Sequence, residues 1–133
     1  MAGLTPRFDV TGAEIDRVVA RFYGQVRHHQ TLGDIFAAHV KDWPAHEAKI
    51  ARFWRNAILH ERGYDANPMQ AHLSAGNVCP HHFVPWLALF DAVLEAEVPQ
   101  AAQAWSALAH RIGRGLRYGL EFAQAKAGDV PQL

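Results

Sequence analysis

Apolar residues recur at steps of three and four along four long stretches of this 133-residue chain, which is the period of an α-helix. The stretches cover roughly residues 11 to 28, 42 to 63, 81 to 96 and 99 to 125. No segment shows the strict alternation of apolar and polar residues that is typical of a half-buried strand. The sequence therefore predicts an all-α fold of four long helices and short connecting pieces, packed as a bundle or a globin-like stack.

Residues with known preferences for helix ends set the limits of these helices. Thr11 and Glu14 have the spacing of a capping box, which predicts the start of the first helix. Asp42 and Pro44 are start signals for the second, and Gly63 is expected to end it. These signals keep each long helix within the length usual for a small protein.

Three shorter segments connect or extend the long helices. Residues 30 to 39 are interrupted by Gly33 and predict a turn with short helical pieces. The segment from Pro68 to Gly76 has room for only about two helical turns. Gly128 and Pro131 predict a loose C-terminal tail.

Composition narrows the classes of protein that fit. A chain of this length predicts a single domain over residues 1–133. Its formal charge is zero, which argues against nucleic acid or an anionic membrane as partner. Cys79 is the single cysteine, and the chain has neither a secretory signal nor about 20 consecutive apolar residues. We expect a cytoplasmic monomer.

Two histidines lie where an imidazole needs an explanation. His46 heads an otherwise apolar helical stripe, where an unpaired polar group costs about 1–3 kcal/mol. His72 lies on the short segment after Pro68, which has little helix stability of its own and which a bond to haem iron would hold in place. The plainer interpretations are a satisfied core histidine for His46 and a surface loop histidine for His72.

Tyr23 and Trp86 are two aromatic residues on predicted buried faces, and each brings a hydrogen-bond donor that needs an acceptor. Their polar ends could converge on one ligand. Either one alone is more commonly a core residue with its polar end at the rim.

Other chemistries find little support. The doublets His28-His29 and His81-His82 place neighbouring side chains about 100 degrees apart on a helix, so neither chelates a metal. No HExxH, GxSxG, GxGxxG or phosphate-binding glycine loop is present. A non-haem metal site, a hydrolase and a nucleotide-binding protein are therefore disfavoured.

The order of the aromatic and histidine positions resembles that of the truncated haemoglobins, specifically their third group. The matching residues, spread over roughly residues 11 to 120, are Phe22-Tyr23, Leu32-Gly33-x-Ile35-Phe36, Trp43-x-x-His46-x-x-Lys49-Ile50-x-x-Phe53-Trp54, Tyr64, His72 and Phe83-x-x-Trp86-Leu87-x-Leu89-Phe90. The glycine pairs typical of the first two groups are absent.

This resemblance implies a globin-like two-over-two helical sandwich around a b-type haem. His72 matches the proximal iron ligand, and Phe36 matches the phenylalanine that stacks on the porphyrin. The distal, ligand-binding positions match Tyr23, His46 and Trp86, and the walls of the pocket match Ile50, Phe53 and Trp54. His46 either gates the pocket or serves as a sixth iron ligand, and the sequence does not choose between these roles.

Basic residues near the expected haem edge are Lys49 and Arg52, which could reach the propionates. Their plainer interpretation is a solvated helix face.

The function implied is binding of oxygen, nitric oxide or carbon monoxide at ferrous iron. Two donors such as Tyr23 and Trp86 would slow oxygen release by up to about a hundredfold, which favours redox chemistry on the ligand over bulk oxygen transport. Nitric oxide dioxygenation and peroxidase-like handling of peroxide are the reactions considered, with an electron donor that the sequence does not identify. Two alternatives stay open: a cofactor-free helical interaction module and a haem-based gas sensor.

Overall fold

The computed structural model describes residues 5–64, 68 and 79–128. In these residues the chain forms α1 (Gly12–Val26), α2 (Leu32–Ala37), α3 (Trp43–Leu59), a 3-10 turn (Pro80–His82), α4 (Phe83–Glu97) and α5 (Ala102–Gly128). The described residues contain no strand, so the prediction of an all-α fold with four long helices is confirmed.

The predicted helix starts lie at or next to the observed ones. The Thr11 hydroxyl accepts the Glu14 backbone N–H at 3.1 Å, and the Glu14 carboxylate accepts the Thr11 N–H at 2.9 Å, forming the capping box that begins α1. The Asp42 carboxylate accepts the Ala45 N–H at 3.1 Å at the start of α3. These side chains satisfy backbone donors that the first turn of a helix leaves unpaired.

Two helix ends differ from the sequence prediction. α3 ends at Leu59 rather than near Gly63, because His60 takes a left-handed conformation with φ 63° and turns the chain out of the helix. Gly63 lies in the loop after α3, where its φ of 136° is a conformation that favours glycine. At the C-terminus α5 continues through Gly128, which the sequence assigns to a loose tail.

The helices pack as two pairs. α1 lies against α3, α4 lies against α5, and α1 and α4 join the two pairs. A column of aromatic rings fills the interface, with Phe90 stacked on Trp54 at 5.5 Å and on Trp86 at 5.3 Å between ring centroids. Trp105 closes the column edge-on against Phe90 at 5.7 Å. Such pairs add to the free energy gained by burying the rings.

The core grows from one apolar face of each long helix. Ile15, Val18, Phe22 and Val26 of α1 are almost fully buried, at the spacing that a helix places on one side. The described helices include none that is both long and apolar enough to cross a membrane. The core thus fixes the relative positions of the helix faces that surround the site.

Candidate functional site

A cavity of about 310 Å³ lies between the two helix pairs. Its walls come from all five described helices and from the turn before α4, and most of them are apolar or aromatic. Eight of the residues singled out from the sequence line it: Tyr23, Phe36, His46, Lys49, Ile50, Phe53, Trp54 and Trp86.

Tyr23 and His46 are in direct contact on one wall. Their ring centroids are 4.9 Å apart with the planes at 86°, so one ring meets the other edge-on. Phe36 of α2 touches both, at 5.6 Å from Tyr23 and 5.9 Å from His46. Three helices therefore bring these rings together at one end of the cavity.

Trp86 reaches the same cavity from α4 through a different contact. Phe22 lies between it and Tyr23, with edge-on ring contacts of 5.2 Å to Trp86 and 5.1 Å to Tyr23. The three predicted distal residues thus line one cavity, Tyr23 and His46 as a pair and Trp86 beside them.

Burial shifts the protonation of the paired residues in opposite directions. Burial, with a smaller contribution from the negative charge of Glu47, raises the pKa of Tyr23 far above its ordinary value. Burial, with a smaller contribution from Lys49, lowers the pKa of His46. At neutral pH the phenol keeps its proton and the imidazole is neutral.

One ring nitrogen of this pair lacks a hydrogen bond. The Nε2 of His46 is buried and has no hydrogen-bond partner among the described residues. Buried ring nitrogens normally bond to a protein group or an ordered molecule. His46, a residue of the cavity wall, therefore has a ring nitrogen whose hydrogen bond no described residue supplies.

The basic residues differ in their placement. Both are exposed, but Lys49 also lines the cavity, whereas Arg52 is not among the lining residues. The Cδ of Arg52 would lie 3.7 Å from a Cβ built on Gly63, so its stem covers that loop. A role for either residue at a propionate stays a prediction.

The proximal ligand expected from the sequence, His72, lies outside the described residues. Pro68, four positions before it, is described and lines the cavity. The assignment of His72 stays a prediction.

Several lining residues were not singled out from the sequence as site residues. α5 contributes Ala109, Ile112, Gly113 and Leu116, and the turn before α4 contributes His82. Ile112 and Leu116 carry a sequence signal, the apolar period of the last helix, but that period does not distinguish a cavity wall from a packed core. Tyr64, edge-on to Phe53 at 5.2 Å, belongs to the quoted motif and also lines the cavity.

Two pairs of helices that enclose an aromatic cavity define a truncated globin fold. The crystal structure of the group III truncated hemoglobin from Campylobacter jejuni superimposes with a TM-score of 0.79, covering 88% of this chain and 95% of that chain at 25% sequence identity. The predicted globin-like two-over-two helical sandwich is confirmed.

Sequence comparison gives the particular family. Over 93 residues, which are 66% of this chain and 73% of the relative, the chain is 32% identical to the group 3 truncated hemoglobin ctb of Campylobacter jejuni. No family model matches the chain. The chain belongs to the group 3 truncated haemoglobins, and the resemblance stated from its motifs is confirmed.

Proposed function

We propose that the cavity binds a haem and that the protein binds oxygen and other diatomic gases beside Tyr23, His46 and Trp86. The observation that carries the proposal is His46 on the cavity wall, whose buried Nε2 has no hydrogen-bond partner among the described residues. Leaving such an atom unpaired costs about 1–3 kcal/mol, which a polar ligand in the cavity would offset. The names printed for the similar sequence and for the similar crystal structure, a group 3 truncated hemoglobin in each case, support the same proposal.

The chemistry of the cavity fits a haem. A volume of about 310 Å³ with mostly apolar walls is in the range of about 300–1,000 Å³ that is usual for small-molecule and cofactor sites. Phe36 offers a ring for stacking, and Lys49 offers a cation for a propionate. His72 would hold the iron. Because Cys79 is the single cysteine and no CxxCH motif is present, a haem held without covalent attachment, the b type, fits the chain.

A ferrous haem would supply the binding site for oxygen and one electron for its conversion with nitric oxide to nitrate, leaving ferric iron for an electron donor to reduce. The residues of this chain would control the ligand. Tyr23 stays protonated because burial raises its pKa, so its hydroxyl is available as a donor at every physiological pH. Trp86 adds an indole N–H, which can only donate.

Slow release of oxygen is what these donors would produce. One net hydrogen bond of about 1–1.5 kcal/mol changes affinity about tenfold, and two could approach a hundredfold. A protein that holds oxygen this long is better suited to reacting with it than to carrying it. We therefore propose redox chemistry on the bound ligand, either nitric oxide dioxygenation or peroxide handling.

Two measurements test the proposal in sequence. Titration of the chain with hemin should give a one-to-one complex with an intense absorption band near the blue edge of the visible spectrum. A chain that stays colourless would instead support a cofactor-free interaction module. Stopped-flow mixing of the oxygenated complex with nitric oxide should then convert it rapidly to the ferric form with release of nitrate. An unchanged spectrum would remove the dioxygenase hypothesis and leave gas binding in place.

A further inference from the structure

Three side chains close the outer corner where the end of α1 meets the start of α3. The Arg27 guanidinium donates to the Glu47 carboxylate at 2.6 Å. Its central carbon lies over the Trp43 ring, 4.6 Å from the ring centroid. We call Arg27, Trp43 and Glu47 the Arg27 bracket. Arg27 directly follows the last residue of α1, and the other two lie one turn apart at the start of α3.

Trp43 is the member of the bracket that contacts the aromatic rings of the ligand site. Its ring centroid lies 6.2 Å from that of Tyr23, 6.2 Å from that of His46 and 6.5 Å from that of Phe36. Trp43, His46 and Glu47 occupy positions i, i+3 and i+4, so they share one side of α3. A shift of Trp43 would therefore change the positions of both Tyr23 and His46.

We propose that Arg27 is a positioning residue for the ligand site: by stacking on Trp43 and pairing with Glu47, it holds the first turn of α3 so that His46 stays edge-on against Tyr23. The part that concerns gas binding rests on the function proposed above.

The Arg27 bracket contributes little to the stability of the fold. The start of α3 is already capped by Asp42, whose carboxylate accepts the Ala45 N–H at 3.1 Å. The Arg27 side chain is 39% exposed and the Glu47 side chain 21%, and ion pairs this close to solvent contribute little to stability. The pairing instead fixes the orientation of Trp43 relative to Glu47. The planar Arg27 guanidinium must stack on the Trp43 ring and bond to the Glu47 carboxylate at the same time.

The negative charge of Glu47 gives a second reason to expect that Arg27 acts on the ligand site. Glu47 is the charged group that contributes to the raised pKa of Tyr23, so its carboxylate acts on the distal phenol. Arg27 lies on that carboxylate and balances its charge. Removing Arg27 would loosen Trp43 and leave a negative charge near the site where a partly negative ligand binds.

Four variants make the test specific. Arg27→Gln removes both contacts, Arg27→Lys keeps the charge without the planar stack, and Glu47→Gln removes the pair from the other side. Arg21→Gln is the matched control, because Arg21 is an arginine of α1 that is likewise paired with a glutamate, Glu97 at 3.3 Å, and is not among the residues that line the cavity. Circular dichroism and thermal melts establish that each variant is folded.

The first readout is the pKa of His46, which NMR measures by titration of the imidazole signal. The protein is used as purified, and it is reduced and kept under carbon monoxide so that any bound iron is diamagnetic. The signal is assigned by its loss in His46→Gln. In Arg27→Gln we expect this pKa to rise towards its ordinary value as the ring becomes less buried. In Glu47→Gln we expect a smaller rise, because loss of the neighbouring negative charge opposes the effect of exposure. Arg21→Gln should match the parent, and Arg27→Lys should lie between.

The second readout is the oxygen dissociation rate of the hemin-loaded protein. Arg27→Gln should accelerate it severalfold, up to the about tenfold expected for loss of one donor. If both readouts in a folded Arg27→Gln equal those of the parent, the proposal is wrong. If Arg27→Gln does not fold, Glu47→Gln decides by the same criteria. A parent that takes up no hemin would defeat the proposed function, and the His46 measurement would still decide the role of Arg27.

Discussion

The imidazole of His46 meets the phenol ring of Tyr23 edge-on, with 4.9 Å between ring centroids and 86° between planes. Burial acts on the two groups in opposite senses, raising the pKa of the phenol and lowering that of the imidazole. Both are therefore uncharged at neutral pH. A small neutral ligand entering this end of the cavity would therefore meet two uncharged groups, the protonated phenol of Tyr23 and the neutral ring of His46.

Tyr23→Phe should accelerate oxygen dissociation from the hemin-loaded protein by about one order of magnitude. The substitution removes a single hydroxyl donor, and one net hydrogen bond of about 1–1.5 kcal/mol corresponds to about tenfold in affinity. The ring and its contacts with Phe22, Phe36 and His46 remain. Stopped-flow displacement of oxygen by carbon monoxide measures the rate.

Tyr118→Phe is the matched control for this variant. Tyr118 lies on α5 and is 69% exposed, so removing its hydroxyl should leave the dissociation rate unchanged. An unchanged rate in Tyr23→Phe would show that the hydroxyl does not reach the ligand, and Trp86 would become the principal donor.

Stability should fall as the pH is lowered below the ordinary range of histidine, in part because of His46. Burial lowers the pKa of His46 in the folded state, so between that pKa and the unfolded value near 6.5 the unfolded chain binds more protons. The contribution of His46 to the free energy of unfolding is therefore complete above about pH 6.5 and is lost as the pH falls through this window. Urea unfolding between pH 7.5 and 5.5 measures it.

His46→Gln should show a shallower dependence of the urea midpoint on pH, because glutamine does not titrate. His82 has a pKa lowered by burial and by His81, so part of the dependence should remain. Above pH 5.5 Glu14, whose pKa is lowered by its bond to Thr11, stays ionised and does not interfere. Identical pH profiles for His46→Gln and the parent would contradict the assigned direction.

The sequence predicts the helices well because helix formation depends on local information. The capping box of Thr11 and Glu14, the Asp42 cap and the apolar period place all four long helices to within a few residues. The end of α3 was misplaced because His60, rather than the expected glycine, adopts the left-handed conformation. Residues other than glycine adopt that conformation at a cost that local contacts can offset, and the His60 ring contacts the Thr5 carbonyl at 3.0 Å.

The site was only partly predictable for a different reason. An aromatic residue on an apolar stripe looks the same whether it faces a packed core or an open cavity. Trp54 and Trp105 both belong to such stripes, yet Trp54 lines the cavity and Trp105 is fully buried in the core. Contacts between helices decide this, as for the Arg27 pairing with Glu47, which joins residues 20 positions apart.

Gly33→Ala should destabilise the protein by about 1–3 kcal/mol, the usual cost of overpacking. A Cβ at Gly33 would lie 2.9 Å from the Arg27 carbonyl oxygen and 3.1 Å from that of Val26, so backbone must move. Gly24→Ala is the opposite case, since nothing lies within 4 Å of its Cβ and the residue is within α1. It should stabilise by about 0.5–1 kcal/mol. Urea unfolding of both variants checks the signs, and equal effects would contradict the close approach.

His72→Ala should abolish stable haem retention. The sequence predicts a short helical segment after Pro68, and residues four apart in a helix share a face. Because Pro68 lines the cavity, that segment would present His72 to the same space. A haem iron bound by one protein imidazole loses its only protein bond in this variant. Transfer of hemin to apomyoglobin, followed by absorption, measures retention.

His28→Ala provides the comparison, because His28 is exposed and lies outside the cavity lining. It should release hemin at the rate of the parent. His46→Ala separates the two possible iron ligands: retention in His72→Ala together with loss in His46→Ala would move the iron bond to α3. In the expected outcome His46→Ala keeps its hemin, and its ferric spectrum then reports the distal role. Low-spin bands present in the parent and lost in the variant indicate a sixth ligand, whereas high-spin bands in both indicate that His46 only gates the cavity.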